Sequence, residues 1–184
     1  VKDDTYLYTL KTKYIDFDYI PKVVAIINSN PSNPLGTYLG ESEKERLIKI
    51  DPVRGENLSK NLERPLMAIP LVAHEALTTA YINDVDGLGV FAQQLYGFGK
   101  KNDVFLGIST SGNSQNVMSA TVVARALGIK VLGLTGELGG ELNMVSNVCV
   151  KVPETETYRI QELHLPVYHC WCLMLEDHFF GANA

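Results

Sequence analysis

The chain has 184 residues, a hydrophobic fraction of 46% and a formal net charge of -5. This length suits one domain with a full apolar core, and the near-zero mean hydropathy is typical of a soluble globular protein. The acidic balance argues against nucleic acid as a partner, because a surface that binds it needs clustered lysine and arginine. No apolar run reaches the length of a membrane span and no signal peptide is recognisable, so we expect a cytoplasmic protein with no membrane contact.

The N-terminal region has the residue spacing of helices. Apolar side chains recur every three or four positions over residues 4–29, which predicts a helical segment divided at Pro21. Residues 28–36 are dense in Asn, Pro, Ser and Gly and predict a turn. An alternative interpretation makes Lys22 to Ile27 a first buried strand that leads into a loop.

The middle of the chain, about residues 45–152, predicts a core of alternating strands and helices. It opens with a charged helix over residues 41–63, broken at Asp51–Pro52 and near Gly55. Short apolar runs bounded by turn residues predict buried strands. Strands separated by helices form right-handed crossovers, so the predicted fold is α/β, a three-layer doubly wound parallel sheet with flanking helices. The predicted strands cover residues 66–71, 104–108, 130–134 and 148–152, and the predicted helices cover 90–99, 115–127 and a short segment after 140. Residues 73–81 are apolar with several small side chains.

A turn rich in hydroxyl groups follows the strand over residues 104–108. It holds Ser109, Thr110, Ser111 and Ser114, four hydroxyls within six residues, and Ser111 or Ser114 can cap the next helix. Unpaired N–H groups and the dipole at the start of a helix attract anions. The turn is therefore either a phosphate-binding site at the carboxyl end of a strand or an ordinary capped turn.

A last helix is predicted over about residues 155–180, with an apolar stripe for packing. Its polar side chains include Gln161 and His169, which are eight positions apart. Such positions are rotated by roughly 80° and separated by about 12 Å along a helix, so one ion joins them only if the side chains converge, the helix bends at its proline or two subunits contribute. The residues alone favour a packing or interface role for His169, as for His164 and His178.

Two separated motifs resemble the sugar isomerase (SIS) domain family. Residues 108–114 resemble its phosphate loop, and the run from Arg159 to His164, with His169, resembles the last helix of its phosphoheptose isomerase branch. The resemblance covers about residues 45–180 and implies a single flavodoxin-like SIS domain over residues 1–184. It implies an intramolecular oxidoreductase that interconverts a ketose and an aldose, with sedoheptulose 7-phosphate as the expected substrate.

The resemblance also implies roles for individual residues. Gln161 and His169 are the implied catalytic residues and zinc ligands, with His169 as the candidate base. The pair Asn83–Asp84, which by its residues alone is equally typical of a helix end, is implied to touch the sugar chain. No Gly-x-Gly-x-x-Gly or Gly-Lys-Thr loop follows a strand, so we expect no nucleotide cofactor. The implied substrate-binding residues are Ser109, Thr110, Ser111, Ser114, Asn83, Asp84 and Gln161.

One part of the family pattern has no counterpart here. The family's first central strand, its Gly-Asn-Gly-Gly-Ser loop and the helix that carries a His and a Glu are not found before the predicted helix at residue 41. Since losing a central strand should cost a layer of core contacts, we expect that the sequence omits this part. A Cα–Cα gap well beyond about 3.8 Å near residues 28–35 would confirm the omission, whereas normal bonding would indicate a remodelled site.

The cysteines and the apolar helices bear on compartment and assembly. Cys149, Cys170 and Cys172 are odd in number and form no Cys-x-x-Cys pair, which favours a reducing compartment. The apolar terminal helices favour a homo-oligomer, and the resemblance implies a tetramer with sites between subunits. Two alternatives stay open: a non-catalytic phosphosugar-binding SIS module, such as a regulator or a relative that binds the replication initiator, and an isomerase of an amino-sugar or pentose phosphate.

Overall fold

The computed structural model describes residues 22–24, 39–62 and 67–180. The described residues fall into two compact units, one made of residues 22–24 and 67–174 and the other of 39–62 and 175–180. The single domain over residues 1–184 therefore stays a prediction. The expected chain gap near residues 28–35, and the helical segment 4–29 apart from residues 22–24, lie outside the described residues.

A parallel β-sheet forms the centre of the first unit. Its described strands lie side by side in chain order, and every neighbouring pair is parallel. The first strand shows that the helical prediction is wrong at residues 22–24 and agrees there with the alternative interpretation, because these residues pair with residues 103–105. The strands are β1 (Lys22–Val24), β2 (Asp103–Ile108), β3 (Lys130–Thr135) and β4 (Val148–Lys151).

The described helices agree with most of those predicted from apolar spacing. The helix from residue 157 to 180 is continuous and contains Pro166, and a short 3₁₀ turn covers Gly87–Gly89. The helices are α1 (Glu41–Ile50), α2 (Pro52–Asn61), α3 (Glu75–Asp84), α4 (Val90–Phe98), α5 (Gln115–Ala126), α6 (Gly140–Val145) and α7 (Thr157–Phe180).

The sheet separates two apolar cores, as expected for strands that are buried on both faces. One core packs Phe105 and Val131 against α4, α5 and α6, and the other packs Leu106 and Leu134 against α7. Successive strand residues point to opposite faces, so neighbours such as Phe105 and Leu106 enter different cores. This arrangement confirms the predicted parallel α/β sheet with helices on both faces.

The predicted strand over residues 66–71 is wrong for the residues that the structure describes. Residues 67–70 have no regular secondary structure, and Leu71 lies in a turn. Leu71 is nevertheless 2% exposed and belongs to the first core. The apolar pattern therefore indicates a buried segment that does not pair with a neighbouring strand. Pro70 also lacks the N–H group that such pairing would use.

In the second unit, α1 and α2 form two consecutive helices with a sharp break between them. Asp51 ends α1 and caps α2, since its carboxylate accepts the N–H groups of Val53 (3.1 Å) and Arg54 (2.9 Å). The predicted break at Asp51–Pro52 is confirmed. The predicted break near Gly55 is wrong: Gly55 lies inside α2, where a Cβ atom would collide with the backbone of Leu47.

Candidate functional site

The hydroxyl-rich turn, residues 109–114, connects β2 to α5 at the carboxyl end of the sheet; we call it the hydroxyl loop. Ser109 is only 4% exposed, and its Oγ lies 2.8 Å from the Oγ of Ser114. Ser114 precedes α5 directly but makes no side-chain capping bond to it. The expectation that Ser114 caps the helix is therefore wrong, because its hydroxyl pairs with Ser109 instead.

The other two hydroxyls of the loop lie at a cavity. Thr110 and Ser111 both line it, and Ser111 is exposed. The Ser111 Oγ accepts the N–H of Asn113 at 3.1 Å, which leaves the hydroxyl hydrogen of Ser111 able to donate to a ligand oxygen. Thr110 and Ser111 thus line the cavity, whereas Ser109 and Ser114 bond to each other, and substrate binding by any of the four hydroxyls stays a prediction.

The cavity has a volume of about 190 Å³ and lies where β2, β3 and β4 end. Parallel sheets bind ligands at this edge. The sequence predicts that the hydroxyl loop lies there. None of the described residues that line the cavity is lysine or arginine. A phosphate there would be held by hydroxyl and N–H donors. The lining residues are Thr110, Ser111, Asn113, Gly136, Glu137, Leu138, Glu154, Thr155, Thr157 and Ile160.

A fixed carboxylate, that of Glu154, lies on the cavity wall just before α7. Its Oε1 accepts the N–H groups of Thr155 (2.8 Å) and Glu156 (3.1 Å), and its Oε2 lies 3.6 Å from Nη1 of Arg159. The backbone N–H groups of Glu156 and Thr155, with the Arg159 guanidinium, hold the pKa of Glu154 below its ordinary value. The cavity therefore carries a negative charge at neutral pH on the side of α7.

The hydroxyl loop is tied to the segment between β3 and α6. Gly112 has φ 69°, a left-handed conformation that favours glycine, and its carbonyl accepts the N–H of Leu142 at 2.9 Å. The N–H of Gly136 donates to the carbonyl of Thr110 at 3.0 Å. Backbone contacts from the neighbouring crossover, between β3 and β4, thus fix the loop that presents the hydroxyls.

Gln161 and His169 are both exposed on α7, and neither is among the cavity-lining residues. Ile160, the neighbour of Gln161, does line the cavity and is 3% exposed. The His169 ring packs edge-on against Tyr168, with centroids 5.2 Å apart. Within one chain, the structure does not bring Gln161 and His169 together with the hydroxyl loop in this cavity, and their catalytic role stays a prediction.

Asn83 and Asp84 are the last two residues of α3. Both are exposed, and the Asn83 Nδ2 donates to the Asp84 Oδ1 at 2.7 Å. Their position agrees with the helix-end interpretation, and neither residue lines the cavity. A contact between this pair and a sugar stays a prediction.

Among the expected features of the site, zinc binding has the least support in the described residues. They contain no group of three or more His, Cys, Asp and Glu side chains that could hold a metal ion. None of Cys149, Cys170 and Cys172 forms a disulfide bond within the described residues. His164 is buried, 3% exposed, which agrees with its predicted packing role.

Sequence reasoning missed part of the cavity wall. Glu154, Asn113, Thr155 and Thr157 received no role in ligand binding. The available signal was the position of Glu154, Thr155 and Thr157, because residues between the end of a strand and the start of a helix lie at the ligand-binding edge.

The described residues contain no helix that is long and apolar enough to cross a membrane. The fold and this cavity define an α/β protein with a polar ligand site at the carboxyl ends of its parallel strands. Comparison with known protein families shows that the family model of the SIS domain matches residues 60–136 of this chain.

Several relatives are phosphoheptose isomerases. The chain is 40% identical over 122 residues to a phosphoheptose isomerase of Akkermansia muciniphila, and 44% identical over 123 residues to one of Helicobacter pylori. Each match covers 66% of this chain but only 65% and 64% of these relatives. A solved phosphoheptose isomerase from Neisseria gonorrhoeae is 31% identical, with a TM-score of 0.58 over 82% of this chain and 75% of that one.

The chain therefore belongs to the sugar isomerase (SIS) domain family, in its phosphoheptose isomerase branch. It spans just under two thirds of the length of those first two relatives.

Proposed function

We propose that the chain is a phosphosugar isomerase that interconverts sedoheptulose 7-phosphate and the corresponding heptose 7-phosphate. The observation that carries this proposal is the cavity in which Thr110 and Ser111 face the start of α7. A phosphate held by the hydroxyl loop would direct the rest of the sugar along a wall formed by residues before and within α7. The names of the relatives agree with this substrate class.

The reaction moves a proton between adjacent carbons through an enediol. It needs a base with a pKa near neutrality and a donor or cation that polarises the carbonyl. We propose His169 as the base and Gln161 as the group that holds the sugar oxygens. Binding the phosphate far from the reacting carbons supplies the positioning.

We propose a homo-oligomer, with a tetramer as the expected state, because α7 carries exposed apolar side chains beside its two polar candidates. Leu165 and Leu173, on the same side of the helix as Gln161 and His169, are 45% and 65% exposed. A second subunit against this face would place new groups near Gln161 and His169. Sedimentation equilibrium of the full chain tests this, and a monomer at micromolar concentration would contradict it.

Zinc and location also stay proposals. Gln161 and His169 supply two ligands of the usual three or four, so a zinc site needs groups beyond those gathered in the described residues. Free thiols agree with a reducing compartment such as the cytoplasm.

Incubation with sedoheptulose 7-phosphate, with and without added zinc, tests the function by the appearance of heptose phosphate. We expect turnover that inorganic phosphate inhibits competitively. Tight phosphosugar binding without turnover would favour the non-catalytic SIS module. Conversion of an amino-sugar or pentose phosphate alone would favour the other isomerase.

A further inference from the structure

Asn113 joins two segments of the cavity wall through its side chain. Its Nδ2 donates to the carbonyl of Ser111 at 3.2 Å, and its Oδ1 accepts the N–H of Glu141, in the first turn of α6, at 2.9 Å. One amide group therefore links the hydroxyl loop to α6. The two partners lie 2 and 28 positions away in the sequence.

The same residue holds Ser111 at a second point. The backbone N–H of Asn113 donates to the Ser111 Oγ at 3.1 Å. Because that oxygen already accepts a hydrogen bond, its own hydrogen is directed elsewhere, and Ser111 lines the cavity. Asn113 thus fixes both the backbone and the hydroxyl of Ser111, an exposed donor in the hydroxyl loop.

A link of this kind helps to hold the loop, because glycine loses more conformational freedom on folding than any other residue. Gly112, between Ser111 and Asn113, has φ 69°, and Gly140, where α6 begins, has φ 58°. Two left-handed residues in close contact leave little freedom, and the amide of Asn113 bridges the segments that carry them. Asn suits this bridge because its side chain offers a donor and an acceptor together.

We propose that Asn113 is a positioning residue for phosphate binding, which holds Ser111 in its ligand-binding orientation before the ligand arrives. This inference rests on the proposed function, since it requires that a phosphate binds at the hydroxyl loop. Preorganised donors lose little entropy on binding, so their loss weakens affinity. The proton transfer at the distant carbons should be unaffected.

The test compares Asn113→Ala and Asn113→Asp with Gln115→Ala as the matched control. Gln115 is exposed, does not line the cavity and makes only a 3.4 Å contact to the carbonyl of Asn113. We expect the dissociation constant of inorganic phosphate, measured by calorimetry, to rise about tenfold in Asn113→Ala, the size of one lost hydrogen bond to a charged group. KM for the phosphosugar should rise with it, while kcat stays within about twofold.

Asn113→Asp separates positioning from folding. It keeps an acceptor for the Glu141 N–H but loses the donor to Ser111, so the variant should fold and still bind phosphate at least tenfold more weakly. Because the added carboxylate also repels phosphate, the uncharged variant Asn113→Ser decides the outcome if Asn113→Ala does not fold. The Gln115→Ala chain should bind phosphate as the wild type does.

A failure of this inference can be distinguished from a failure of the proposed function. If the wild type binds neither inorganic phosphate nor phosphosugar, the proposed function falls and this inference falls with it. If the wild type binds phosphate and the uncharged Asn113 variants bind it within twofold of the wild type, only the positioning role is overturned. A fall in kcat with unchanged KM and phosphate affinity would also overturn it.

Discussion

Ser109 and Ser111 lie two positions apart in the hydroxyl loop, yet their hydroxyls have different surroundings. The Ser109 hydroxyl is buried and pairs with Ser114, whereas Ser111 is exposed at the cavity. Buried hydroxyls contribute through the bonds they make, and exposed ones contribute little to stability. The two serines should therefore separate stability from ligand binding.

Ser111→Ala should weaken phosphosugar binding by about tenfold and leave the free energy of unfolding within about 0.5 kcal/mol of the wild type. Ser109→Ala should lower the free energy of unfolding by about 1 kcal/mol, because it removes the bond to Ser114. Urea unfolding and calorimetric titration measure the two effects. Equal losses of stability in both variants would contradict the assignment.

His164 is a buried titratable group on α7. Burial lowers the pKa of His164 below its ordinary value, although the carbonyl of Thr135 opposes this shift. The unfolded chain therefore takes up a proton near pH 6.5 while the folded chain stays neutral. Stability contributed in this way is present above pH 6.5 and is lost as the pH falls below it.

The free energy of unfolding should therefore fall more steeply between pH 7.5 and 5.5 in the wild type than in His164→Leu. One proton accounts for at most about 1.4 kcal/mol per pH unit. Urea unfolding at several pH values measures both slopes, and other titrating groups cancel in the comparison. Equal slopes of the free energy of unfolding against pH in the two chains would show that His164 takes up its proton equally in the folded and unfolded states, which would contradict the prediction.

Residue types in the site were more predictable than their orientations. The motif over residues 109–114 predicts hydroxyl donors, because composition and spacing are local. It cannot predict that Ser109 turns inward, because that depends on packing against β3. The wall residue Glu154 was missed because the segments that it meets at the cavity, near Thr110 and Glu137, lie 44 and 17 positions away in the chain.

At the scale of elements, the site depends on the contact between the hydroxyl loop and the segment before α6. Gly112 has φ 69°, and a Cβ atom there would collide with the carbonyl of Gly139. A side chain at this position meets both an unfavourable backbone conformation and a steric clash. The loop and the neighbouring crossover therefore fold together.

Gly112→Ala should lower the free energy of unfolding by at least about 2 kcal/mol, since the left-handed conformation alone costs 1–2 kcal/mol. Gly97→Ala is the control, because Gly97 lies in α4 with nothing within 4 Å of an added Cβ atom. That variant should be unchanged or more stable by up to about 1 kcal/mol. Denaturation midpoints measure both, and a Gly112→Ala chain as stable as the wild type would contradict the packing argument.

Some of the strands and helices could be predicted from the sequence, and others could not. Strands β2, β3 and β4 and helices α4, α5 and α7 were predicted, because their apolar periodicity is strong and turn residues bound them. The strand over residues 66–71 was not found, because Leu71 is buried in a turn that has the same apolar pattern. The break at Gly55 was not found either, because close packing against Leu47 overrides the low helix propensity of glycine.

At the scale of the whole first unit, the parallel sheet explains how distant residues meet. β2, β3 and β4 all run in one direction, so the segments after them, near Thr110, Glu137 and Glu154, reach one edge and enclose one cavity. The sequence could predict that edge from topology. It could not predict that Gln161 and His169 lie outside the cavity of a single chain, because helix rotation depends on the packing of α7.

The central claim is that a phosphorylated sugar binds at this edge with its phosphate on the hydroxyl loop. A crystal structure of the full chain with sedoheptulose 7-phosphate tests it most directly. We expect phosphate oxygens within hydrogen-bonding distance of Thr110 and Ser111, with the sugar chain directed toward α7. A phosphate bound away from residues 109–114, or a cavity that stays empty at saturating sugar, would contradict the claim.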